Sequence, residues 1–172
     1  MKGLGAILVA VGIIILIGMI IVTIVCWYGN RVGCKDYLKL AGDAPNVQKA
    51  NEFLEKALVY MEKRGLTSGN SAFIFRTPSS DVGIWYNQIK GAQQTVANII
   101  GRGDAASQLE KDNVLMKIRE VVLDQDEKGT TVTMPPNITI FPFQWLFLLT
   151  IVVGVLMIIV GGAILYFCEE WS

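Results

Sequence analysis

Hydrophobic and polar residues are arranged along this chain in two contrasting ways. Residues 4–28 and 145–167 carry no charge and consist mainly of Leu, Ile and Val, so neither run has a polar face. Each is longer than the ~20 residues a helix needs to cross a hydrocarbon core. The chain between them is patterned at the helical period instead. In DVGIWYNQIKGAQQTVANIIG (81–101), Val82, Trp85, Ile89, Ala92, Val96 and Ile99 recur at steps of three and four and fall on one helix face. The segment NVQKANEFLEKALVYMEKRG (46–65) repeats the pattern with Val47, Ala50, Leu54, Ala57 and Met61, between Pro45 and Gly65.

A third helix is expected from SQLE (107–110), where Ser107 and Glu110 stand at capping-box spacing, and its apolar face is Val114, Leu115, Ile118, Val121 and Val122. Two pieces read as extended. AFIF (72–75) precedes Pro78, and TTVTMPPNITIF (130–141) alternates on either side of Pro135-Pro136-Asn137, a strand-turn-strand pattern. The first span can continue as a helix over 29–44, with Gly29, Gly33 and Gly42 as weak points, because each costs about 1 kcal/mol relative to Ala.

These elements predict a mainly α membrane protein: two antiparallel transmembrane helices with an intervening small helical bundle of about three helices and a short β-hairpin. The expected boundaries are a tail at 1–3, the first span at 4–28, a juxtamembrane linker at 29–44, the soluble domain at 45–140, the second span at 141–168 and a tail at 169–172. A cleaved signal peptide is the competing reading of the first run. That run is longer than a usual signal h-region and lacks a small-x-small cleavage site before Trp27.

Trp27 and Tyr28 end the first span where Phe143 and Trp145 begin the second, as an aromatic belt at one interface requires, while Tyr166 and Trp171 mark the other. Arg31, Lys35, Lys39 and Lys128 stand near the membrane on the domain side, against Lys2 in the tails, which leans the soluble domain toward the cytoplasm. Arg31, Lys35 and Lys39 are also the candidates for anionic lipid headgroups, with Asp36 interrupting them. Within the spans, Gly5 and Gly12 are seven apart, as are Gly154 and Gly161, with Thr150 four residues before Gly154. Seven residues return to nearly the same face, so each span carries a ridge of small residues for helix packing or assembly.

Composition narrows the chemistry. The chain has 172 residues, is 52% hydrophobic and contains no histidine, so the usual general base, the commonest metal ligand and the physiological-pH switch are missing together. Of its three cysteines, Cys26 and Cys34 can be near each other while Cys168 is expected at the opposite membrane face, and two thiols without other ligands make a poor metal site. Asp124 opens a stretch resembling a calcium loop, but Lys128 and Pro135 stand where ligands are needed. Arg102-Gly103-Asp104 reads as a loop between helices, and Asn137-Ile138-Thr139 matches a glycosylation acceptor close to the membrane. No P-loop, G-x-S-x-G elbow or dinucleotide fingerprint occurs. Equal totals of 15 acidic and 15 basic residues leave no broad basic field for nucleic acid.

The expected protein is therefore non-enzymatic, with no cofactor, no metal and no small-molecule substrate. Its partners are membrane lipid and either itself or other membrane proteins, in a structural, scaffold or accessory role. An oligomeric two-span channel or pore is the alternative. On the domain, Trp85 on the apolar stripe and Tyr86 one step off it are the residues expected to meet a partner.

Overall fold

The structure is a computed structural model and describes residues 2–126 and 129–170. Lys128 and Trp171, used above for topology and the far interface, lie outside the described residues, as does part of the calcium-like stretch. The chain divides into two compact units, one formed by Met1–Trp27 with Phe143–Ser172 and the other by Tyr28–Pro142. Among the described residues, two helices are long and apolar enough to cross a membrane.

The first unit is a helix pair. Helix α1, Lys2–Asn30, runs through its half of the unit and on into the second, and helix α6, Gln144–Glu170, supplies the other half. Neither has an apolar face in the usual sense, since both are apolar all round, and most of their large side chains point outward.

In the second unit, α1 passes into a π-helical segment, Arg31–Lys35, and then into α2, Asp36–Gly42. Helices α3 (Val47–Lys63), α4 (Val82–Arg102) and α5 (Gln108–Val122) follow. Their starts obey the capping logic of the sequence. Asn46 accepts from the Lys49 amide, Asp81 from the Ile84 amide, and Ser107 with Glu110 forms the reciprocal capping box.

The core is built from the predicted stripes. Val47, Ala50, Leu54, Ala57 and Met61 of α3 meet Val82, Trp85, Ile89, Val96 and Ile99 of α4, and all are buried, with Ala92 partly buried beside them. Helix α5 contributes Ile118 and Val122 fully, while Val114, Leu115 and Val121 are only partly covered. Its edge position explains this: Leu109 and Met116 face outward on the same helix.

Three expectations need correction. The segment 29–44 is not a linker, because most of it is helical and places Cys34, Leu38 and Ala41 in the core. Two of the glycines that suggested weakness are sites of close approach. A Cβ on Gly33 would run into the ring of Tyr60, and one on Gly42 would lie 2.6 Å from Leu123 Cδ1.

The β-hairpin exists, but not around Pro135-Pro136. Strand β1, Leu123–Asp126, pairs antiparallel with β2, Gly129–Val132, in the register Leu123 to Val132 and Asp126 to Gly129. The sequence LDQD lacks an alternating apolar face, so it gives no strand signal; the strand forms through its pairing with β2. Residues 136–142 form turns instead, with Asn137 at φ 56. AFIF, third, is non-helical as expected but irregular, with no partner strand among the described residues.

Candidate functional site

In the helix pair, burial picks out a short set of residues. Among the described residues, the buried ones along α1 as far as Trp27 are Gly5 and Gly12, and along α6 as far as Cys168 they are Gln144, Gly154 and Gly161. A Cβ on Gly5 would lie 2.9 Å from the Gly161 carbonyl oxygen, and one on Gly161 would lie 2.8 Å from the Gly5 carbonyl. One on Gly12 would lie 2.8 Å from the Gly154 carbonyl oxygen. Moving seven residues along one helix moves seven back along the other, as antiparallel neighbours must. The Gly5–Gly12 and Gly154–Gly161 ridges are therefore turned toward each other; at Gly5, Gly12 and Gly161 a Cβ would meet the opposite backbone, whereas at Gly154 it would lie 3.2 Å from the Leu16 side chain.

Thr150 is not part of these contacts. It is half-buried, and its hydroxyl donates to the Leu146 carbonyl at 2.8 Å, one turn back in its own helix. Thr23 does the same toward Met19 at 2.8 Å.

In the domain, a polar clamp holds the end where the chain enters and leaves. Asn30 is buried, its Oδ1 accepts from the Tyr60 hydroxyl at 2.7 Å, and its Nδ2 donates to the Ile138 carbonyl at 3.3 Å. One side chain thereby ties α1, α3 and the 136–142 turns together. Sequence reasoning missed it, and its one legible signal is a lone amide directly after an apolar run.

Comparison with protein-family models, curated proteins and solved structures finds no match. The chain's own geometry is thus the basis for any functional reading.

Trp85 and Tyr86, expected at a partner surface, are 5% and 7% exposed. The Trp85 indole donates to the Thr133 carbonyl at 2.9 Å. The Tyr86 hydroxyl donates to Glu62 Oε1 at 2.7 Å and receives Lys90 Nζ at 3.3 Å, with the ammonium also 5.4 Å from the ring centroid. Tyr86 lies one step off the stripe, as the periodicity says. The α3–α4 interface is wide enough to cover that step as well, so both aromatics join the domain to itself.

Arg31, Lys35 and Lys39 are exposed along the helical run that follows the first apolar segment, with Arg31 Nε 4.0 Å from Asp36. Cys34 lies among them but is fully buried, and Cys26 and Cys168 are half-buried. Among the described residues, no group of three or more His, Cys, Asp or Glu is arranged to hold a metal. Arg102 pairs with Glu110 Oε1 at 3.0 Å, so the Arg-Gly-Asp tripeptide sits in the turn between α4 and α5.

Charged groups with displaced protonation lie on helix surfaces. Lys49 and Lys56 each donate to Glu52 at 2.8 Å and lower its carboxyl to about 2. Glu110 is lowered first by the Ser107 amide and then by Arg102. Both are exposed, and each serves its own helix. A shallow, open concavity of about 320 Å³ lies at the start of α4, lined by Asp81, Ile84 and Trp85 from that helix and by Thr133 and Pro135 opposite. Its one carboxylate, Asp81, already caps α4.

Proposed function

We propose that this chain is a non-enzymatic, two-pass membrane protein that serves as a structural or accessory subunit of a membrane assembly. The observation that carries the reading is the outward display of apolar side chains along α1 and α6. Ile7, Ile14, Ile17, Ile21 and Val25 on one helix, and Leu146, Leu149, Leu156 and Ile159 on the other, are each at least half exposed. Water would not support such a surface, and hydrocarbon or a neighbouring membrane helix would. Because the glycine faces of α1 and α6 are spent on each other, contacts with neighbours use the large-residue faces. The domain at Tyr28–Pro142 supplies the water-exposed part of the subunit, with Arg31, Lys35 and Lys39 toward anionic headgroups.

The direct test is extraction from the native membrane in mild detergent, with the mass and composition of the particle measured. A particle of several chains supports a subunit role, and a stable, lone monomer counts heavily against it. A closed ring that conducts ions in reconstituted bilayers would replace this reading with a pore.

We place the domain in the cytoplasm, following the Lys and Arg balance. Cys34 is buried and therefore unsuitable as a topology probe. A cysteine at Gly101, which is exposed with open space around its Cα, serves instead. An impermeant maleimide should leave it unlabelled in sealed cells, and prompt labelling would put the domain on the other side.

A further inference from the structure

The loop between α3 and α4 contains the most exposed large apolar pair of the domain. Ile74 is 76% and Phe75 84% exposed, and Arg76 next to them is exposed as well. The base of the loop is firmly closed. Asn70 bridges Asp81, the Ser71 amide donates to the Ser80 carbonyl at 2.9 Å, and the Ser80 hydroxyl donates to Asn70 Oδ1 at 3.0 Å. The Val82 amide adds a bond to the Gly69 carbonyl at 2.9 Å. A fixed base that holds Ile and Phe out of the core calls for an apolar partner elsewhere.

The position of the base indicates which partner. Gly69 abuts the ring of Phe141, with 3.0 Å from a built Cβ to Phe141 Cζ. Phe141 is one residue before the chain leaves the domain at Pro142, and Asn30, close after its start at Tyr28, is bonded to Ile138. The loop base therefore lies at the end of the domain where the chain runs into both apolar helices. Phe75 is four Cα steps from Ser71, so the tip lies within about 14 Å of the loop base at Ser71. Next to those two connections in the sequence stand the exposed aromatics Trp27, Tyr28, Phe143 and Trp145, residue types that settle at the headgroup level of a bilayer.

We propose that residues 73–76 form a lipid-docking loop, in which Ile74 and Phe75 enter the interfacial layer of the bilayer that the chain itself crosses and Arg76 meets the phosphates. This rests on the membrane-spanning reading above. Ile and Phe supply apolar area, the neighbouring guanidinium reaches back to the anionic layer, and the closed base prevents the tip from folding away. The loop gives the domain a third contact with the membrane besides its two covalent connections.

The test uses the full chain in nanodiscs of phosphatidylcholine and phosphatidylglycerol, carrying Cys26→Ser and Cys168→Ser, with buried Cys34 retained. A nitroxide is attached in turn at Phe75→Cys, Ile74→Cys, Trp27→Cys and Gly101→Cys, and its collisions with oxygen and with a water-soluble nickel chelate are compared. The labels at 74 and 75 should shift toward oxygen, as the label at 27 does, while the label at 101 reads water. Labels at 74 and 75 that match 101 while 27 reads lipid would overturn the proposal and leave the spans intact. Labels at 74 and 75 immobilised and shielded from both reagents would mean a protein partner or a second copy, which also overturns it. Water at position 27 would remove the membrane-spanning reading and the docking loop with it.

Discussion

The two units solve opposite packing problems. In the helix pair the contact is made by residues with no side chain, Gly5 against Gly161 and Gly12 against Gly154, and the large residues face outward. In the domain the contact is made by Leu38, Leu54, Met61, Ile89 and Ile118, all fully buried, and the polar residues face outward. On the membrane-spanning reading proposed above, burying Leu against Leu gains little because the alternative is a lipid tail, so there the close approach of backbones decides the pairing. In water the same burial is the main favourable term, and side-chain volume decides. Glycine carries a different message in each unit. In the helices it marks the seam, and at Gly33 it marks the place where the Tyr60 ring crosses α1's continuation.

Substitutions that act on one unit alone sharpen the contrast. The largest effect is expected from Leu54→Ala, which empties a fully buried site and should destabilise the domain by about 3–5 kcal/mol. Thermal unfolding followed by near-ultraviolet circular dichroism of Trp85 measures it, and unchanged helicity of the spans confirms that the damage is local. Gly33→Ala comes next. Its methyl group meets the Tyr60 ring, so a loss of about 2–3 kcal/mol is expected at a position where Ala would otherwise favour the helix.

Tyr86→Phe is a smaller lesion. It removes the hydroxyl shared by Glu62 and Lys90 but keeps the ring, and about 1 kcal/mol should be lost in the same unfolding experiment. A partner surface at Tyr86 would show a binding defect without this loss. The smallest effect concerns Glu52, whose carboxyl is lowered from 4.5 to about 2 by Lys49 and Lys56. A depressed carboxylate stabilises the folded state fully above its unfolded value, and the contribution fades as pH falls through the folded one. Carbon-13 titration of the Glu52 carboxyl should therefore show it still ionised at pH 3.5. Because the group is exposed, raised salt should move it back toward the ordinary value.

Much of this organisation was legible in the sequence, for identifiable reasons. The apolar runs, the stripes of α3 and α4 and the Ser107 capping box are local signals, and the structure uses them as written. The seven-residue glycine spacing located both ridges, but spacing has no means of naming the partner; that needed the antiparallel register. Cys34, Leu38 and Ala41 were hidden because three glycines lowered the helical signal over 29–44, and two of them answer to neighbours far along the chain, Tyr60 and Leu123. Strand β1 was hidden because its polar residues gain their conformation from pairing with β2, a tertiary cause. Tyr86 was assigned to the surface because a single-helix projection does not show how wide the neighbouring helix is.

The central claim is that the glycine faces of α1 and α6 close on each other within one chain. Solid-state NMR of the carbon-13-labelled protein in lipid bilayers tests it without altering a residue, through the cross-peak between Gly5 and Gly161. The account predicts a cross-peak that keeps its intensity per labelled chain when labelled protein is diluted into an excess of unlabelled protein. A cross-peak that vanishes on dilution, placing the contact between chains, or one that never appears, would contradict it.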